Sequence, residues 1–99
     1  MTQLSETTRK QIADLCKKYK IRELSLFGSR AREESTEQSD YDLLVDFRPD
    51  ARISLFEFSR IQVDLEELIG TKVDLVPKRG LKPLIRERVL ADAQPIYEE

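Results

Sequence analysis

Two short apolar runs, one closed by a glycine turn and the other opened by spaced carboxylates, constrain this chain more than any other feature. Ile21-Arg22-Glu23-Leu24-Ser25-Leu26-Phe27 stops at Gly28-Ser29, and after ten intervening residues Asp40-Tyr41-Asp42 leads into Leu43-Leu44-Val45. Each run reads as a strand. Residues at i and i+2 of a strand share a face, so Asp40 and Asp42 can chelate cations together. A Gly-Ser turn that opens a helix offers backbone N–H groups and a hydroxyl to phosphate. The two pieces together describe a triphosphate with its Mg²⁺. An Asp-x-Asp alone would arise by chance roughly 0.6 times in a chain with eight Asp among 99 residues, so the spacing to Gly28-Ser29 carries the information. Asp74, in Lys72-Val73-Asp74-Leu75-Val76, supplies a third carboxylate in another strand-like run able to lie beside the first pair.

The remaining segments predict helices between these strands. Ser5 precedes Ile12, Leu15, Cys16 and Tyr19 at helical spacing, and Lys17, Lys18 and Lys20 suit the negative pole, so a first helix is expected from about Glu6 to Tyr19. A short helix is expected from Ser29 to about Glu33, followed by a polar connection through Ser39. In the second strand Tyr41, Leu43, Val45 and Phe47 share a face that looks packed, while Asp40, Asp42, Leu44 and Asp46 share the other. Ser54 and Glu57 have capping-box spacing ahead of Phe58, Ile61, Leu65, Leu68 and Ile69, with Gly70 as the stop. Lys72 to Val76 is a third strand. Leu81, Leu84, Ile85 and Val89 mark a last helix carrying Arg86 and Arg88, and Gln94 to Tyr97 suits a terminal edge strand. This succession is an α/β (α+β) chain with helices covering a small mixed sheet, and its length predicts one domain over residues 1–99.

Composition narrows the chemistry. There is no histidine, which removes Ser-His-Asp and Cys-His catalysis and histidine-ligated zinc. Carboxylate oxygens suit Mg²⁺ or Mn²⁺. Cys16 falls on the apolar side of the first helix and reads as a small core residue rather than a nucleophile. A net charge of −2, with charges of both signs interspersed, argues against stable nucleic-acid binding. With neither a signal segment nor an apolar run of membrane length, a cytoplasmic protein without membrane contact is expected.

Gly28-Ser29, ten residues, then Asp40-x-Asp42 and an apolar strand is similar to the signature of the DNA polymerase β-like nucleotidyltransferase superfamily. The chain most resembles the minimal nucleotidyltransferase (MNT) family, from Leu24-Ser25-Leu26-Phe27-Gly28-Ser29-Arg30-Ala31-Arg32 through Val73-Asp74-Leu75-Val76 to Leu84-Ile85-Arg86-Glu87-Arg88-Val89-Leu90 and Pro95-Ile96-Tyr97. Two features depart from the family pattern: Glu33-Glu34 stands where a small or basic, glycine-containing turn is common, and Tyr41 sits where an aliphatic is usual. The resemblance implies a polymerase β-like fold and attack on the α-phosphorus of an NTP with release of pyrophosphate. It assigns Asp40 and Asp42 to bridging two Mg²⁺ ions and Asp74 to the ion beside the incoming hydroxyl. Gly28 and Ser29 would hold the β- and γ-phosphates, with Arg30 as an added phosphate contact.

Family members commonly act as antitoxins beside HEPN-type RNase toxins. The expected function is therefore Mg²⁺-dependent transfer of AMP from ATP to a hydroxyl, a tyrosine above all, of a partner HEPN toxin. The alternative is an antitoxin that neutralises its partner by binding alone. Nucleotide addition to RNA or to a small molecule fits less well, because the chain has neither an accessory domain nor a basic groove.

Overall fold

The computed structural model describes residues 4–28 and 41–99. The expected short helix from Ser29 to Glu33 and the polar connection after it lie outside the described residues. Helix α1 (Glu6–Lys18) begins where Ser5 Oγ accepts the Thr8 N–H at 3.1 Å, and the basic residues Lys17 and Lys18 occupy its last turn. Such a cap satisfies a helix donor that has no intrahelical acceptor. Tyr19 serves as the C-cap, its N–H donating to the Leu15 carbonyl at 3.1 Å.

Strand β1 (Ile21–Phe27) pairs antiparallel with β2 (Tyr41–Phe47), matching Leu26 with Leu43 and Phe27 with Asp42. From β2 the chain crosses through helix α2 (Leu55–Ile69) to β3 (Val73–Pro77), which runs parallel to β2. Both ends of α2 follow the expected chemistry. Ser54 Oγ accepts the Glu57 N–H at 3.1 Å, and Gly70 adopts a left-handed φ of 86° while donating its N–H to the Glu66 carbonyl. A single 3₁₀ turn (Lys78–Gly80) leads into helix α3 (Pro83–Asp92) and the edge strand β4 (Gln94–Glu98), antiparallel to β1. The sheet order is β3-β2-β1-β4, a mixed sheet as its sequence pattern predicts.

The main core lies between one face of this sheet and the helices α1 and α2. Tyr41, Leu43 and Val45 of β2 join Ile21, Leu24 and Leu26 of β1 and Val73 and Leu75 of β3. Ile12 and Cys16 from α1 and Ile61 and Leu65 from α2 close over them. Each fully buried aliphatic side chain of this set contributes roughly 1.5–3 kcal/mol relative to exposure. Ile21 and Leu24 differ by an odd number of residues, so simple alternation would put them on opposite faces. The pairing register shifts between Ile21 and Glu23, and this β-bulge lets both side chains enter the core.

Cys16 is fully buried, and desolvation pushes its thiol up to about 12 from an ordinary value of 9.0. A thiol reagent at pH 8 is therefore expected to label Cys16 only after denaturation. Rapid labelling of the native protein would contradict its place in the core. The pH dependence has a definite sign. Because the folded-state value is the raised one, this contribution is intact below about 9 and is lost as pH rises toward about 12.

The last helix departs from its expected packing. Leu81 precedes α3, Leu84 is 90% exposed and Ile85 51% exposed, so of the apolar residues thought to mark the helix only Val89 is buried. The four residues do not make a continuous buried stripe, and α3 rests on the sheet through its C-terminal half. Among the described residues, no helix is long and apolar enough to cross a membrane.

Candidate active site

Three strand ends meet at one edge of the fold. Asp42 is the second residue of β2, and its two sheet neighbours are Phe27, the last residue of β1, and Asp74, the second residue of β3. Paired residues of adjacent strands point to the same face, and adjacent strands lie roughly 4.8 Å apart. The Asp42 and Asp74 carboxylates therefore emerge side by side. Asp74 is exposed and Asp42 half-buried, so the pair opens to solvent at one flank. Two carboxylates this close repel one another, and a divalent cation between them removes that cost. The parallel β2-α2-β3 crossover produces this juxtaposition, since it returns β3 to β2 in register.

Tyr41, the residue before Asp42, points the other way into the core and is only 6% exposed. The unusual tyrosine of the motif is thus a packing residue. Asp46 continues the Asp42 face but lies four residues on, and it is buried rather than open. It accepts a hydrogen bond from Arg22 and stands 3.7 Å from Arg79 of the 3₁₀ turn. A nearby ion pair of 3.1 Å links Lys78 to Glu23. These contacts fasten the β3-α3 connection across β2 and β1, and Asp46 serves that frame.

Gly28 follows directly on β1 with φ +78°, a conformation that side-chain-bearing residues rarely adopt. Its open flank is turned toward Asp42. A Cβ there would stand 3.2 Å from Asp42 Cγ and closer still to Oδ2. The glycine therefore leaves room for the carboxylate, a requirement that the sequence pattern does not express. It also borders a cavity of about 480 Å³ whose lining includes, among the described residues, Phe27, Arg88, Val89 and Asp92. The α3 side of this cavity was not foreseen. Its signal in the sequence was indirect, namely a terminal strand following the helix, and only the pairing of Gln94 with Leu26 brings the end of α3 to the end of β1.

Of the expected site residues, the structure brings together Gly28, Asp42 and Asp74. Ser29, Arg30 and Asp40 lie outside the described residues. The donors at Asp42 and Asp74 are all carboxylate oxygen, the set that suits Mg²⁺.

The chain is similar in sequence and in fold to known nucleotidyltransferases. The family model for the nucleotidyltransferase domain matches residues 8–96. The protein adenylyltransferase MntA of Thermococcus cleftensis is 42% identical over 79 residues, covering 80% of this chain and 78% of that protein. A solved structure described as a candidate minimal nucleotidyltransferase is 40% identical with a TM-score of 0.76, covering 90% of this chain and 89% of its own. The fold also matches a chain from the complex of the tri-AMPylated Shewanella oneidensis HEPN toxin with its MNT antitoxin. That match has a TM-score of 0.69 at 17% identity and covers 97% of this chain and 74% of the other.

Proposed function

This chain belongs to the nucleotidyltransferase domain family, and we propose that it transfers AMP from ATP to a hydroxyl, foremost a tyrosine, of a HEPN-type toxin and so acts as its antitoxin. The observation that carries this reading is the pairing of Asp42 with Asp74 on one face, directly beside the Gly28 turn. Similarity to the adenylyltransferase MntA supports AMP as the transferred group, and the fold shared with a chain of the HEPN–MNT complex supports the partner.

In this reading the acceptor oxygen forms a bond to the α-phosphorus, the bond from that phosphorus to the bridging oxygen of pyrophosphate breaks, and the hydroxyl proton passes to solvent. Asp40, Asp42 and Asp74 would hold two Mg²⁺ ions. When bound, such ions neutralise charge on both the attacking and the leaving oxygen. Asp74, the exposed member at the flank, sits on the side open to an incoming protein. Asp42 sits between Asp74 and the β1 end, nearer the turn proposed to receive the phosphates. In this proposal Gly28 and Ser29 would hold the β- and γ-phosphates through main-chain N–H groups and a hydroxyl, with Arg30 as an added charged contact. The function is that of one domain spanning residues 1–99, whose acceptor is supplied by the partner.

Asp74→Asn separates this reading from neutralisation by binding alone. The variant is expected to retain MgATP in a binding assay yet leave the mass of the co-purified toxin unchanged, where the wild type adds AMP. If Asp74→Asn still neutralises the toxin in cells as well as the wild type, binding suffices and the catalytic account fails.

A further inference from the structure

The cavity beside Gly28 has a wall that the carboxylate pair does not explain. Phe27 and Gly28 line it from β1, while Arg88, Val89 and Asp92 line it from the last turns of α3. Val89 is buried and seats this part of the helix on the sheet, and the pairing of Gln94 with Leu26 ties the helix end to the strand end that carries Gly28. The wall is therefore anchored on both sides. Its volume of about 480 Å³ lies within the range of small-molecule sites.

Charge identifies what the wall can receive. A triphosphate brought to Gly28 beside Asp42 and Asp74 adds more negative charge than two Mg²⁺ ions would neutralise together with the carboxylates, so a cationic group on its other flank is favoured. Arg88 is exposed on the cavity, and its planar fork of N–H donors matches two phosphate oxygens at once. Asp92 is unsuited to phosphate but suits the hydroxyl donors of a ribose, and Phe27 and Val89 offer apolar surface. Phosphate, hydroxyls and an apolar ring occur together in a nucleotide.

Resting on the nucleotidyltransferase reading above, we propose that Arg88 of α3 is a phosphate-binding residue of this site, gripping the triphosphate from the side opposite the carboxylates. The last helix then serves the nucleotide as well as the sheet, which accounts for its short buried contact at Val89 and the exposed arginine next to it.

Binding of MgATP and of magnesium tripolyphosphate to the wild type, Arg88→Ala and Arg88→Lys tests the assignment. Arg88→Ala is expected to weaken both ligands about tenfold or more, the range of a charge-assisted hydrogen bond, with an unchanged melting temperature because the side chain is exposed. Arg88→Lys should recover part of the loss, since it keeps the charge without the fork. Wild-type affinity in Arg88→Ala overturns the assignment alone. Loss confined to ATP, with tripolyphosphate binding intact, moves Arg88 to the nucleoside and likewise overturns it. Failure of the wild type to bind either ligand overturns the nucleotidyltransferase reading together with the assignment.

Discussion

Asp42→Asn is expected to abolish nucleotide transfer while leaving the fold intact. Asparagine keeps the shape of the side chain but removes the negative charge that holds a divalent cation. The loss should be at least about 10³-fold in turnover, or roughly 4 kcal/mol of transition-state stabilisation. Stability should move by no more than about 1 kcal/mol, because Asp42 is half-buried at the end of a strand and the change relieves repulsion from Asp74. Turnover with pure protein, ATP, Mg²⁺ and toxin, read beside thermal unfolding, tests both halves. A variant that transfers AMP at the wild-type rate would dismiss carboxylate-bound metal as the basis of the chemistry.

Gly28→Ala is expected to have the second largest effect, and to act mainly through Asp42. A left-handed φ costs a side-chain-bearing residue about 1–2 kcal/mol, which is tolerable in a folded domain. The added methyl, however, overlaps the Asp42 carboxylate and forces it to rotate away. Misplacing a reacting group by about 1 Å can lower a rate on the order of 100-fold. Transfer should therefore fall about 100-fold, with a reduced affinity for Mg²⁺ and only a modest drop in melting temperature. Had the glycine served only to admit a phosphate, Mg²⁺ affinity measured without nucleotide would be unchanged in the variant. That measurement separates the two roles of the same residue.

Much of the fold was legible before the structure. Helical spacing of Ile12, Leu15, Cys16 and Tyr19 and the caps at Ser5, Ser54 and Gly70 are local signals, written within a few residues of where they act. Period-two alternation likewise put Tyr41, Leu43 and Val45 on the core face and Asp42 on the opposite one. Alternation misleads at Ile21, because the bulge there belongs to the pairing of β1 with β2, which no local pattern encodes. It also says nothing of Leu44 and Asp46, whose burial depends on what covers the second face of the sheet. The apolar residues Leu84 and Ile85 suggested a packed helix face, yet the anchoring of α3 at Val89 leaves them in solvent.

For the candidate site, sequence alone determined the residue types and their spacing: a glycine turn at the end of one strand, carboxylates at the start of the next, and a third carboxylate in a later strand. Those facts follow from the chain's own order and from the two-residue period of a strand, and they carry the expectation of metal and phosphate chemistry. Only the tertiary structure decided that Asp74 stands beside Asp42, that Gly28 yields its space to the Asp42 carboxylate, and that Arg88 faces the same cavity. Each joins residues 14 to 60 positions apart. Such contacts depend on strand order and register, which the whole core selects and no local pattern encodes.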